Sequence, residues 1–214
     1  DGAVRVTIVA YATPPDRSVG FGCTYLYTIY GSGDVVIETQ VRPGYQLPPV
    51  PRWGLQLRLQ QGFETLTWFG AGPHECYSDR KASGRICQHG CTVDGQHVPY
   101  VTPQENGNKI DVRWAAFTDE WGAGLLAVGR PLLNVTAHHY TTEALTVARH
   151  WHELERCDEI VVNLDLAQSG LGTASCGPAT LPQYLLPAVD TTFSLRLRPL
   201  APGDVPNALS KALG

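Results

Sequence analysis

Gly31-Ser32-Gly33-Asp34 followed by Val35-Val36-Ile37-Glu38-Thr39-Gln40-Val41 reads as a turn feeding a strand. Val35, Ile37, Thr39 and Val41 recur with period two, the pattern of a strand with one buried face. The same pattern repeats on both sides of it. Val4, Val6, Ile8 and Ala10 precede it, and Leu55, Leu57 and Leu59 follow. Further along come Ile110, Val112 and Trp114, then Leu133, Val135 and Ala137, then Ile160, Val162 and Leu164, and last Phe193, Leu195 and Leu197. Asp94-Gly95, Asn106-Gly107-Asn108 and Asp119-Glu120-Trp121-Gly122 are turn signals between them. Many strands with short polar turns predict an all-β fold, an antiparallel sandwich rather than βαβ units. One segment departs from the rhythm. Thr142 is placed to cap a helix running to about Glu155, with Leu145, Ala148, Trp151 and Leu154 at helical spacing. Gly70 to Tyr100 and Ala167 to Pro187 read as long loops, where function usually sits on a β scaffold.

The composition bounds the function classes. The chain has 214 residues, 43% hydrophobic and 17% charged, which suits one large all-β domain spanning 1–214. Its net charge of −4 offers no basic surplus for a nucleic-acid backbone. No apolar run approaches the ~20 residues of a membrane span. There is no methionine, so residue 1 reads as the start of an excised or processed fragment. The cysteines are Cys23, Cys76, Cys87, Cys91, Cys157 and Cys176, and they read as mostly buried thiols of a reducing, cytoplasmic compartment.

Four stretches carry a resemblance. Pro51-Arg52-Trp53-Gly54-Leu55 leads into Trp68-Phe69-Gly70-Ala71-Gly72-Pro73-His74-Glu75-Cys76-Tyr77-Ser78-Asp79-Arg80. Pro99-Tyr100-Val101-Thr102-Pro103-Gln104-Glu105-Asn106-Gly107-Asn108 follows, then Val112-Arg113-Trp114. Tyr140 through Leu145 comes next, with Ala148, His150, Glu153 and Leu154. The last is Asp165, Gln168, Gly170-Leu171-Gly172 and Ser175-Cys176-Gly177-Pro178. In order and spacing they resemble the C-terminal, small-chain domain of family 2 glycoside hydrolases of the β-galactosidase type, most strongly over residues 50–200.

The resemblance implies a large antiparallel supersandwich of the galactose-mutarotase kind with one short helix. The family domain is longer at its N-terminal side, so its opening strands are expected to be missing, leaving an edge on which a second copy can pair. The implied whole enzyme removes terminal non-reducing β-D-galactose with retention. Both its catalytic glutamates lie on a (β/α)-barrel in the same or a companion chain. That barrel and the galactoside are the implied partners. Mg and Na ions are the implied cofactors of the whole enzyme, with none assigned to this chain. Gly172, Ser175 and Cys176 are the implied sugar-binding residues, on a loop reaching towards the barrel. Cys176 stands where the best-known bacterial enzyme has a tryptophan platform. A carbohydrate-binding module and a free-standing mutarotase-like epimerase are the alternative readings.

No catalytic residue is assigned within the chain. Glu75, Asp79, Glu105, Asp111 and Asp165 are the candidate carboxylates for glycoside chemistry, which needs two across the scissile bond. Their structural reading comes first: Glu75 and Asp79 with Arg80 form an ion-paired network, and Glu105 with Asn106 orders the Pro103 to Gly107 turn. His138, His139, His150 and His152 are not read as a metal site, since each pair diverges on its element. His74, His97 and Glu105 are the residues an epimerase would draft as acid and base. Asn134-Val135-Thr136 lies inside a strand and is read as a chance sequon. Trp53, Trp68, Trp114 and Trp151 read as core, and Trp121 as exposed.

Overall fold

The computed structural model describes residues 2–172 and 177–212. Among them, ten antiparallel strands join into one sheet. In chain order they are β1 (Ala3–Ala12), β2 (Phe21–Tyr30), β3 (Val35–Pro43), β4 (Arg52–Leu59), β5 (Thr65–Gly72), β6 (Arg85–Thr92), β7 (Lys109–Thr118), β8 (Gly124–His138), β9 (Ile160–Gln168) and β10 (Thr191–Leu200). The main path runs β1-β2-β3-β10-β8-β7-β5-β6, and β9 with β4 branches from β8.

That branch is built on one long strand. The first half of β8, Gly124 to Arg130, pairs with β10. Its second half, Asn134 to His138, pairs with β9. Pro131 falls between the two, where a residue without an N–H costs the ladder least. The strands from both halves then enclose one core. Leu66, Trp68, Val112, Phe117, Leu133, Ile160, Leu164 and Leu195 meet there, each almost wholly buried.

The all-β antiparallel expectation holds, with differences that have physical reasons. The strand read from Val4, Val6, Ile8 and Ala10 forms as β1, but every one of its residues is exposed. It pairs only with β2 and has no layer beneath it. The segment from Gly70 to Tyr100 is not one long loop, because β6 crosses it as an edge strand on β5. Its run Arg-Ile-Cys-Gln-His-Gly-Cys-Thr carries no alternation, as suits a strand with little to bury.

Among the described residues there are two short helices rather than one, α1 (Thr142–Val147) and α2 (Pro206–Lys211). Helix α1 is capped by Thr141, whose Oγ1 accepts from Ala144 N at 3.0 Å, and it ends at Val147 instead of reaching Glu155. The Glu153 carboxylate accepts the Arg149 N–H at 2.8 Å and starts a separate 3-10 turn over Trp151–Glu153. That turn leaves Trp151 68% exposed, against its reading as core. It also stacks the His150 and His152 rings at 5.4 Å rather than splaying them. Trp53, Trp68 and Trp114 are buried and Trp121 is exposed, as expected.

Of the five described cysteines, all free thiols, Cys23 and Cys76 are buried, Cys91 and Cys157 half-buried, and Cys87 exposed. The expectation of mostly buried thiols therefore holds for two of them.

Candidate functional site

The strands β4 and β9 set out a polar surface. Their ladder is interrupted between Trp53 and Gly54: Trp53 pairs with Ala167, Gly54 with Asp165, and Leu166 is the extra residue. A bulge flips the alternation beyond it. Gln168 is thereby brought opposite Arg52, on the face that carries Asp165. Gly54 makes this possible, since a Cβ there would meet Asp165 Oδ1 at 2.0 Å. The glycine of Pro51-Arg52-Trp53-Gly54 thus serves close approach.

Arg52 lies between two carboxylates. Its Nη2 is 2.9 Å from Glu105 Oε2 and its Nε 3.6 Å from Asp165 Oδ2. Glu105 therefore belongs to Arg52, while Asn106 orders the turn: Asn106 Oδ1 accepts from Val98 N and its Nδ2 donates to Gln104 O, both at 2.9 Å. Burial pushes the Asp165 carboxyl up to about 7, against the pull of Arg52 and with the push of Glu105. Above this face, α1, the turn at 103–105 and the segment 169–171 surround a cleft of about 520 Å³.

A second cleft, of about 630 Å³, lies beside it around Glu75, Asp79 and Arg80. Glu75 is fully engaged: it accepts from Gly107 N at 2.8 Å, from Arg80 Nη2 at 3.1 Å and from the Tyr100 hydroxyl. With a fourth, longer bond from the Tyr77 hydroxyl at 3.5 Å, each carboxylate oxygen accepts two donors, and Glu75 pins two loops together. Asp79 does not join Arg80 as expected. Its carboxylate accepts from Leu171 N at 3.3 Å and Gly172 N at 2.8 Å. Gly172 has φ +63, and a Cβ there would lie 2.7 Å from Thr180 N, so the position suits glycine on both counts. Ser175 and Cys176 lie outside the described residues.

The remaining candidates are not brought together. Asp111 pairs with Lys81 at 3.4 Å. His74 lines the Glu75 cleft and bonds Ser83, apart from Glu105. His138 is buried, and burial pulls its imidazole down to about 4, so it stays neutral and donates from Nε2 to Asn106 O at 2.9 Å. His139 bonds Cys157 O and Glu64. Asn134 and Thr136 are buried in β8, as suits a chance sequon. Among the described residues no three His, Cys, Asp or Glu side chains group as metal ligands. Arg52 and Gln168 are the site residues that the sequence reading passed over. Nothing in a linear pattern announces the bulge that pairs them.

Fold and site together define an antiparallel β domain whose polar clefts lie where loops meet the ends of strands β4 and β9 or fold beside them. The chain belongs to the β-galactosidase small chain family, which it matches over residues 1–197. It is 35% identical over 197 residues to the β-galactosidase of Priestia megaterium, covering 90% of this chain and 19% of that protein. To the β-galactosidase of Psychromonas ingrahamii it is 36% identical over 163 residues, 75% of this chain and 15% of that one. The chain thus spans 15–19% of the length of these curated relatives. It is also similar to a solved putative aldose 1-epimerase of Escherichia coli K12, with TM-score 0.46, 9% identity, and 92% of this chain and 65% of that chain covered. A GalM/aldose epimerase homologue from C. elegans gives TM-score 0.47 and 11% identity over 91% of this chain and 65% of that one. No described helix is long and apolar enough to cross a membrane.

Proposed function

We propose that this chain is the domain of a cytoplasmic, retaining β-galactosidase that completes the galactose pocket beside a catalytic barrel. The observation that carries the reading is the family match over residues 1–197 together with the small share of each relative that this chain covers. The rest of such a protein has ample length for a barrel. The carboxylates of this chain support a non-catalytic role: Glu75 is saturated, and Glu105 and Asp165 are tied to Arg52. What the chain contributes is position. Asp79 holds the start of the loop at Gly172, four residues of sequence before Cys176.

The test has two arms. The 214-residue chain alone is assayed on an aryl β-galactoside at high concentration, and no turnover is expected. Saturable hydrolysis lost in Glu75→Gln or Glu105→Gln would overturn the proposal. In the barrel-containing protein, Cys176→Trp is expected to change KM for galactosides by offering a stacking surface. An unchanged KM would remove the loop from the pocket.

A further inference from the structure

We infer that a cleft of about 410 Å³, on the face of the sheet formed by β1, β2, β3, β10 and β8, binds a small phosphate-bearing anion. The strand registers gather its charged residues. Arg5 lies opposite Thr28, Thr28 opposite Val36, and Val36 opposite Arg196. Two residues along, Leu26 lies opposite Glu38, Glu38 opposite Ser194, and Ser194 opposite Arg130. Directly opposed residues of antiparallel strands point to the same side, and so do residues two apart on one strand. Arg5, Glu38, Arg130 and Arg196 therefore rise from one surface, and Arg198 shares it.

The charges on this surface do not balance. Four arginines, Arg5, Arg130, Arg196 and Arg198, meet two carboxylates, Asp34 and Glu38. That is an excess of two positive charges, on a chain whose net charge is −4. Asp34 is already shared, with Arg196 at 3.7 Å and Arg198 at 3.3 Å. Burial lowers the pKa of the Arg196 guanidinium, Asp34 opposes this, and repulsion by Arg198 and Arg130 adds to it. Arg5 and Arg130 are exposed at the two sides of the cleft, with Arg196 between them. Among the described residues neither Arg5 nor Arg130 pairs with a carboxylate, so both guanidinium groups can turn to a ligand. A phosphoryl group fits in charge and in shape. It carries close to two negative charges at neutral pH, and its three oxygens accept the paired donors of an arginine. The outer cations are solvated, so binding is expected in the millimolar range.

The site shares no residue with the clefts at Glu75 and Arg52 and does not depend on the pocket-completing role. The experiment is a backbone amide NMR titration of the 214-residue chain with inorganic phosphate to about 50 mM, enough to detect millimolar dissociation constants. Sodium chloride holds the ionic strength constant, and a chloride series alone is the control for screening. Saturable shifts are expected at Thr28, Val36, Glu38 and Arg130 with phosphate, and none with chloride. Changing Arg5→Gln and Arg130→Gln together should raise the dissociation constant about tenfold, as loss of two exposed charge contacts does. Both side chains are exposed, so the rest of the spectrum should be unchanged. Glu38→Gln removes a carboxylate from the cleft and should tighten binding about threefold. No saturable shift with phosphate, saturable shifts confined to other residues, or an equal response to chloride would overturn the proposal. So would an affinity unchanged in the double variant or weakened by Glu38→Gln.

Discussion

The Asp79 carboxylate accepts the backbone N–H of Gly172 at 2.8 Å, across 93 residues of sequence. With the second bond from Leu171 N, it anchors one end of the loop that leads to Ser175 and Cys176. A charged acceptor makes such bonds about twice as strong as neutral ones. Asp79→Ala should therefore free the loop without unfolding the sheet. Hydrogen exchange at Leu171 and Gly172 should quicken by about tenfold or more, the equivalent of ~1.4 kcal/mol, while exchange in β5 and β7 stays slow. Unchanged exchange at Gly172 would show that the loop is held by other contacts.

A second anchor holds the segment that follows β10. The Arg196 guanidinium donates to Leu209 O at 2.6 Å, to Ser210 O at 3.2 Å and to Ala212 O, and so holds the C-terminal turn of α2. It also lies 3.7 Å from Asp34, and both side chains are buried. Arg198 shares the same aspartate at 3.3 Å. Arg196→Ala removes the clamp and one of two cations from a buried acid, so a loss of roughly 2–4 kcal/mol is expected. Arg196→Lys should recover little, since an ammonium cannot reproduce the fork of parallel donors. Denaturant midpoints measure both variants. A lysine variant as stable as the parent would show that charge alone matters there.

The strands that bury a face on the common core were legible as alternating apolar residues, as at Val35 to Val41, Ile160 to Leu164 and Phe193 to Leu197. Where burial is absent or double, the pattern fails. Strand β6 buries little and carries no signal, and β1 alternates without burying either face. Helix α1 kept its apolar spacing past its real end, because Glu153 captures Arg149 N–H and no local rule reports that capture. The site was legible in part for a similar reason. Glu75, Asp79, Glu105 and Asp165 were found as residue types, but their partners are set by tertiary approach. In sequence Asp79 is indistinguishable from a partner of Arg80, because the 170–172 segment that claims it arrives only through the tertiary fold.

The environment of Asp165 makes a pH dependence of definite sign. Burial raises its folded pKa to about 7 from the ordinary 3.8. Between those values the folded chain binds more protons than the unfolded chain, so this group makes stability fall as pH rises through the window. Its contribution is fully favourable below pH ~4 and lost above pH ~7. Asp165→Asn removes the titration. The asparagine variant should gain on the parent between pH 5 and 8 by roughly 2–3 kcal/mol, at ~1.4 kcal/mol per pH unit up to the folded pKa, whatever its stability at either end. Urea titrations of both proteins at several pH values measure the difference. A gap that stays constant with pH would show that Arg52 keeps Asp165 ionised throughout.

The cysteines offer a test of the loop in solution. Cys76 is completely buried and burial raises its thiol pKa, so it should be among the slowest to react with a thiol reagent. Cys23 is also buried and should be slow. Cys87, exposed on the edge strand β6, should label fastest of the five described thiols. Cys157 is half-buried, and its Sγ lies 3.1 Å from His139 O, which places it between these limits. Against this scale Cys176 can be ranked by mass spectrometry. If the loop faces solvent in the isolated chain, Cys176 labels closer to Cys87 than to Cys76, and Asp79→Ala quickens it further. In the barrel-containing protein galactose should slow Cys176 and leave Cys87 unchanged, because only the first would lie under the sugar. Labelling of Cys176 as slow as that of Cys76, with no effect of galactose, would make the loop a structural element and remove Gly172, Ser175 and Cys176 from the sugar site.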